Sequence, residues 1–111
     1  MIKLSQPQIL EEAISDVVSI LRNGQLVHGE YCNEFEKELA DYLGVKHTLL
    51  VSSGTAALHV SLLALGIGPG DAVIVPDFTF TATANVVEMA GAKTVIVDVE
   101  ETSYNLDPVK L

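Results

Sequence analysis

Residues 51–58 read Val-Ser-Ser-Gly-Thr-Ala-Ala-Leu and join an apolar run, 48–51, to a helical pattern that begins at Ala56. The first turn of a helix leaves backbone N–H groups without intrahelical acceptors, and such a start attracts anions. Gly54 has no Cβ to keep a ligand away from the main chain, and the neighbouring hydroxyl side chains can add donors. The segment therefore predicts an anion site, although Ser, Gly and Thr at this position also form ordinary helix caps.

The sequence after this point alternates between strand and helix patterns. Strands are predicted over 47–51, 72–75 and 94–97, each buried, and helices over 56–65 and 80–90. Strands and helices that alternate at this spacing predict an α/β layer with a mostly parallel sheet and flanking helices. Ligands of such sheets bind at the carboxyl ends of the strands. Both hydroxyl-rich loops, 52–55 and 76–79, are predicted to lie at that edge.

Two amphipathic helices precede the sheet in the predicted order. The first covers 7–22, with Ser5 as its cap and Gly24 as its stop, and the loop 25–30 follows it. The second helix covers 31–43 and is predicted to bury its large apolar side chains: Phe35, Leu39, Tyr42 and Leu43. At the other end of the chain, 105–108 resembles the entrance to a further helix.

Composition and motifs exclude several classes of protein. The 111 residues have the length of one domain, and 49% of them are hydrophobic, which is typical of a folded core. A net charge of −9 argues against binding to nucleic acid. Cys32 is the only cysteine, the histidines lack metal-ligand spacing, and no segment suits a signal peptide or a membrane span, so we expect a cytoplasmic protein without a metal site. The Walker and Gly-x-Gly-x-x-Gly phosphate motifs are also missing.

A second loop raises the probability of a ligand site. Phe78 and Phe80 stand among threonines at the edge where the anion site is predicted. An exposed aromatic ring there could stack on a flat heterocycle. The two loops together therefore suggest a phosphorylated heterocyclic ligand.

Five segments carry a resemblance to a known family, in the same order and spacing from about Ser5 to Pro108. The sequence resembles the DegT/DnrJ/EryC1/StrS aminotransferases. The matching segments are Gly-Glu-Tyr-Cys-Asn-Glu-Phe-Glu-Lys-Glu-Leu-Ala (29–40), Ser-Ser-Gly-Thr-Ala-Ala-Leu-His (52–59), Ala-Leu-Gly-Ile-Gly-Pro-Gly-Asp (64–71), Val-Pro-Asp-Phe-Thr-Phe-Thr-Ala-Thr-Ala-Asn (75–85) and Val-Asp-Val-Glu (97–100).

The resemblance implies a pyridoxal-phosphate enzyme of the aspartate-aminotransferase fold (fold type I) that aminates a nucleotide-linked keto sugar. It implies glutamate or glutamine as the amino donor and a homodimer whose active sites share residues. By position, Gly54 and Thr55 would hold the cofactor phosphate, with Ser53 beside them, and Phe80 would stack on the pyridine ring. It also implies a seven-stranded sheet in which 47–51 has no strand partner within this chain.

Two further residues are candidates for contact with the substrate or the partner subunit. His28 lies in a loop that resembles a family segment near the mouth of the active site. Asp77 stands where the family commonly has a small residue, so its carboxylate could tune substrate choice or cap the helix that follows, and we favour the cap.

The resemblance places the Schiff-base lysine and the aspartate of the pyridine nitrogen beyond Leu111. Lys46 does not substitute for that lysine, since five strand residues put it roughly 17 Å from the Gly54 edge. We therefore expect residues 1–111 to be the N-terminal segment of the cofactor-binding large domain, and to be inactive alone. The alternatives are a phosphate-binding α/β module without catalytic activity and a pyridoxal-phosphate sugar dehydratase of the same family.

Overall fold

The structure is a computed structural model that describes residues 5–111. It contains four helices and two strands in this range: α1 (Glu11–Asn23), α2 (Glu30–Leu43), α3 (Gly54–Ala64), β1 (Ala72–Pro76), α4 (Ala82–Met89) and β2 (Lys93–Val97). The chain divides into two compact units. The first ends at Leu49 and contains α1 and α2, and the second runs from Leu50 to Leu111 and contains the sheet.

Helix α1 begins four residues later than the sequence pattern predicts. Its N-cap is Leu10, which makes no side-chain cap hydrogen bond, so the prediction that Ser5 caps this helix is wrong. A cap at Ser5 would require Gln6 to be helical directly before Pro7, a conformation that proline disfavours in the residue before it, and Pro7 has no N–H to donate. The predicted stop is confirmed, because Gly24 has a φ of 71° and its N–H donates to the Leu21 carbonyl.

Helix α2 has the predicted extent but not the predicted burial. It ends at Gly44, whose φ of 68° suits glycine. Tyr42 is 87% exposed, Phe35 and Leu43 are more than half exposed, and Leu39 is half-buried. The prediction that these side chains are buried is therefore wrong for the described chain, because no helix or strand within the first unit packs closely over them.

The second unit contains a two-stranded parallel sheet, which confirms the predicted α/β class. Strands β1 and β2 pair in register from Ala72↔Lys93 to Pro76↔Val97, with α4 in the crossover between them. Val75, Val87 and Ala92 form the buried core, and partly buried apolar side chains from α3, α4 and β1 pack around it. The carboxyl ends of both strands therefore lie at one edge of the sheet.

The sheet strands are buried on one face only. Val73 and Val75 pack with side chains of α3 and α4, whereas Ile74, which points the other way, is 47% exposed. The prediction that these strands are buried therefore holds for one face only in the described residues, because α3 and α4 both cover that face.

The predicted strand over 47–51 is not a strand in this structure. Within residues 5–111 the sheet consists of β1 and β2, and 47–51 is no part of it. A strand is defined by its ladder of hydrogen bonds to a neighbouring strand. The result agrees with the family arrangement, in which this segment pairs with no strand of this chain. Residues 105–108 also differ from the prediction, since Leu106 forms a single antiparallel bridge with Val99 and no helix follows in the described chain.

A carboxylate joins the end of α4 to the start of β2. Glu88 Oε1 accepts hydrogen bonds from the Thr94 hydroxyl (2.6 Å) and the Thr94 N–H (3.2 Å), which lower the pKa of Glu88 below its usual 4.5. The ionised form is favoured in the folded state. Its contribution to stability is therefore fully present above the unfolded pKa of about 4.5 and is lost as the pH falls through the lower folded pKa.

We expect Glu88→Gln to lower the free energy of unfolding at pH 7, and the deficit to shrink below about pH 4.5. Urea unfolding of the wild type and the Glu88→Gln variant from pH 7 to about pH 3 measures this difference in the free energy of unfolding. Glu34→Gln removes the same charge from the exposed face of α2 and serves as the control. A deficit that persists unchanged at the lowest pH would show that the Glu88 charge is not the cause.

None of the helices in residues 5–111 is long and apolar enough to cross a membrane.

Candidate functional site

A cleft of about 540 Å³ lies in the second unit, at the N-terminal ends of α3 and α4. Its lining combines helix-start backbone, hydroxyl groups and apolar side chains. The lining residues are Gly54, Thr55, Ala57, Leu58, Ser61, Phe80, Ala82 and Thr83. We refer to this volume as the cleft. Three of the predicted site residues, Gly54, Thr55 and Phe80, therefore line a single space.

The start of α3 supplies unused backbone donors to the cleft. Ser53 is the N-cap, with its Oγ accepting from the Ala56 N–H (3.1 Å) and its carbonyl accepting from the Ala57 N–H (3.0 Å). Gly54 and Thr55 precede Ala56, the first residue of α3 whose N–H is bonded to the cap, so their own N–H groups have no intrahelical acceptor. A Cβ built on Gly54 would meet no atom within 4 Å, so the main chain here is open to a ligand.

Helix α3 starts two residues earlier than the apolar pattern predicts. The helix begins at Gly54 rather than at Ala56, because the Ser53 side chain caps it. The correction puts Gly54 and Thr55 at the first two helical positions, where the free N–H groups point along the helix axis.

Phe80 presents its ring to the cleft from a loop and not from a helix. Phe80 is 77% exposed, and α4 begins only at Ala82, so the predicted helix start at residue 80 is wrong. The Phe80 carbonyl accepts from the Thr83 N–H (3.0 Å), and the Thr79 and Thr83 hydroxyls lie 3.0 Å apart. These bonds fix the end of the loop while the ring stays accessible.

Ser53 does not line the cleft itself. Its hydroxyl oxygen is engaged as the α3 cap, so the cap role is directly visible in the structure. Its O–H remains available as a donor. A role for Ser53 in ligand binding stays a prediction.

Asp77 is not a helix cap. The N-cap of α4 is Thr81, without a side-chain cap hydrogen bond, so the interpretation that we favoured for Asp77 is wrong. The Asp77 N–H instead donates to the Val97 carbonyl (3.0 Å) and extends the pairing of the two strands by one bond. A role in substrate choice stays a prediction.

His28 lies in the first unit and contacts polar groups of α2. Its Nε2 is 3.1 Å from Asn33 Oδ1 and 3.7 Å from Glu36 Oε2. A protonated His28 ring could therefore pair with Glu36. Its predicted contact with the substrate or a partner subunit stays a prediction.

Two contacts at the carboxyl edge of the sheet were not predicted from the sequence. Asp98, directly after β2, accepts from the Lys110 ammonium and from the Val99 N–H (3.0 Å), which lowers the pKa of Asp98, and the same ion pair raises the pKa of Lys110. The rings of Phe78 and Tyr104 pack 5.4 Å apart between centroids at 41°. Neither contact has a periodic signal, although Phe78 stood out as an exposed aromatic residue.

The residues that line the cleft offer backbone donors, hydroxyl groups and an aromatic ring. Of the described residues that line it, none has a side chain that titrates near neutral pH. Free amides on one wall suit an anion, and the Phe80 ring suits a flat ring. Residues 5–111 also contain no cluster of three or more His, Cys, Asp or Glu side chains that could hold a metal ion.

Comparison with protein families gives a match over nearly the whole chain. The model of the DegT/DnrJ/EryC1/StrS aminotransferase family matches residues 7–111. The Pseudomonas aeruginosa UDP-2-acetamido-2-deoxy-3-oxo-D-glucuronate aminotransferase is 43% identical over 107 residues, which are 96% of this chain and 30% of that protein. The GDP-perosamine synthase of Caulobacter vibrioides is 53% identical over 83 residues, 75% of this chain and 22% of that protein.

Solved structures give the same result for the fold. A Streptococcus pneumoniae protein named as a sugar aminotransferase, Spr1654, superposes in its PMP form with a TM-score of 0.90 at 38% identity. The superposition covers 98% of this chain and 28% of that protein. Its PLP form gives a TM-score of 0.87 at 40% identity, covering 96% and 27%. The chain thus spans about 30% of the length of the relatives that it matches.

Proposed function

The chain belongs to the DegT/DnrJ/EryC1/StrS aminotransferase family, and we propose that the whole protein is a pyridoxal-phosphate-dependent aminotransferase of a nucleotide-linked keto sugar. The observation that carries this proposal is the shared cleft, in which Gly54, Thr55 and Phe80 meet. The names of the relatives support the substrate class, since two of them act in the chemistry of UDP- or GDP-linked sugars.

The described residues fit pyridoxal phosphate. Free N–H groups at a helix start suit a phosphate, the open space at Gly54 admits it, and a mostly exposed ring lines the same cleft. Pyridoxal phosphate, when bound, supplies an electron-withdrawing ring that carries an amino group from donor to acceptor. We propose that the Gly54 and Thr55 N–H groups hold its phosphate and that Phe80 covers one face of its pyridine ring and excludes water.

The remaining chemistry requires groups that the cleft lacks. A transamination needs a base to move a proton, and the described lining residues have none. The phosphate-site and stacking contacts also contribute only about 0.3–2 and about 0.5–1.5 kcal/mol, against about 8 kcal/mol for micromolar affinity. We propose that a lysine and an aspartate outside these residues complete the site, and that residues 1–111 form part of the cofactor-binding large domain.

The test uses the full-length natural protein, purified with pyridoxal phosphate. We expect addition of glutamate or glutamine to convert the absorption spectrum of the bound cofactor to that of its amine form, and a nucleotide-linked keto sugar to restore the original spectrum. Mass spectrometry of the sugar product then identifies the reaction. An amino group in the product supports the proposal. A product that has lost a hydroxyl group as water, with no amino group added, supports the dehydratase alternative. No spectral change with any amino donor supports the phosphate-binding module.

We also propose a homodimer for the full-length protein, which light scattering after gel filtration tests. The expected cytoplasmic location stays a prediction.

A further inference from the structure

The loop 77–80, which connects β1 to α4, is attached to the fold at both of its ends. The Asp77 N–H donates to the Val97 carbonyl at one end, and the Thr79 and Thr83 hydroxyls meet at the other. Phe78 lies between these attachments and is mostly exposed. Its ring packs against that of Tyr104, which is also mostly exposed, with the two centroids 5.4 Å apart.

Tyr104 comes from the loop 98–110, which closes on itself. An antiparallel bridge joins Val99 to Leu106, the Glu100 N–H donates to the Asn105 carbonyl (2.9 Å), and Lys110 pairs with Asp98. Loop 98–110 is therefore a closed structure that begins at the carboxyl end of β2, beside the point where loop 77–80 leaves β1.

Tyr104 has a backbone conformation that few side chains adopt. Its φ is +57°, and among the residues other than glycine in the described chain it alone has a positive φ. Bulky residues enter this region rarely, and only where the surrounding structure holds them there. In this conformation its N–H donates to the Glu100 carbonyl (3.0 Å) and its ring packs on Phe78.

We propose that Tyr104 is a positioning residue: its ring holds Phe78 and thereby fixes loop 77–80, which places Phe80 at the cleft. The effect of Tyr104 on cofactor binding rests on the proposed function. The contact between Tyr104 and Phe78 is independent of the proposed function. Tyr104 acts through Phe78, and it is not among the residues that line the cleft. The Asp98–Lys110 pair holds loop 98–110 closed and so keeps Tyr104 in place.

The test compares Tyr104→Asn with Tyr104→Phe in the full-length natural protein. Asparagine tolerates a positive φ, so Tyr104→Asn keeps the loop backbone and removes the ring, whereas Tyr104→Phe keeps the ring. We expect Tyr104→Asn to raise hydrogen exchange of the Asp77 and Thr83 amides in the cofactor-free protein by roughly threefold to tenfold, the range for loss of an aromatic pair. These two amides donate to the Val97 and Phe80 carbonyls and so report on the two ends of the loop. Tyr104→Phe should exchange like the wild type.

The second readout is the dissociation rate of pyridoxal phosphate, which we expect to rise in Tyr104→Asn by a similar factor and to stay unchanged in Tyr104→Phe. A double-mutant cycle with Phe78→Leu should be strongly non-additive, because both changes remove the same contact.

An exchange rate in Tyr104→Asn equal to that of the wild type, or equal effects of the two Tyr104 variants, would overturn the proposal. Faster exchange with an unchanged dissociation rate would overturn the link to Phe80. A wild-type protein that binds no pyridoxal phosphate would overturn the proposed function, while hydrogen exchange would still decide whether Tyr104 fixes the loop.

Discussion

Gly54→Asp is expected to weaken pyridoxal phosphate binding by at least about 100-fold without destabilising the protein. The new carboxylate would lie beside the free N–H groups that we assign to the phosphate. Two unit charges about 4 Å apart near a protein surface interact with about 4 kcal/mol at low salt, so repulsion of this size exceeds the attraction of one helix start. The dissociation constant, measured by titrating the cofactor-free full-length protein, gives the effect.

Although Gly54→Asp should lower the affinity for the cofactor, it should not lower the stability of the cofactor-free protein. A carboxylate in the first turn of a helix stabilises it by about 0.3–1 kcal/mol, and replacing a helical glycine removes backbone freedom from the unfolded chain. A Cβ at Gly54 meets no atom within 4 Å, so no clash offsets this gain. The melting temperature of the cofactor-free variant should therefore equal or exceed that of the wild type.

Gly54→Asn is the matched control, because asparagine has nearly the shape of aspartate and no charge. We expect a smaller loss of affinity for Asn than for Asp, and the difference between them should decrease at high salt. Equal affinities for the two variants would mean that the phosphate does not bind at this helix start.

The order of helices and strands in the second unit could be predicted because its signals are local. Apolar periodicity changes from helical to strand-like on either side of 66–71, and Gly66 and Gly70, which both adopt positive φ, mark that turn. The boundaries were less accurate. Ser53 caps α3 two residues earlier than the apolar pattern begins, and α4 starts two residues later than predicted, at Ala82.

Features that depend on distant partners were missed. Apolar content alone suggested a strand at 47–51, but strand pairing requires a neighbour, and the described chain places none of its strands there. The Asp98–Lys110 pair and the Phe78–Tyr104 contact join residues 12 and 26 positions apart, without any periodic signal. Gly54, Thr55 and Phe80 meet as predicted, but not for the predicted reason: Phe80 follows strand β1, whereas Gly54 and Thr55 follow no strand of the described chain and reach the cleft because α3 packs against α4.

Phe80→Ala is expected to weaken pyridoxal phosphate binding by about tenfold, because a stacked aromatic ring contributes about 0.5–1.5 kcal/mol beyond the apolar area that it buries. Phe80 is 77% exposed and lies outside the buried core. Its removal should therefore leave the melting temperature of the cofactor-free protein nearly unchanged. Titration of the full-length protein with pyridoxal phosphate measures the dissociation constant.

Two further substitutions at Phe80 separate stacking from simple apolar contact. Tyrosine keeps the aromatic face and should bind the cofactor as the wild type does, whereas leucine keeps much of the apolar bulk without a π-system and should fall between wild type and alanine. This order follows only if the ring lies against the pyridine of the cofactor. If the leucine variant binds the cofactor as tightly as the wild type, Phe80 acts only as an apolar wall of the cleft. Stacking on Phe80 would then no longer support a pyridine ligand.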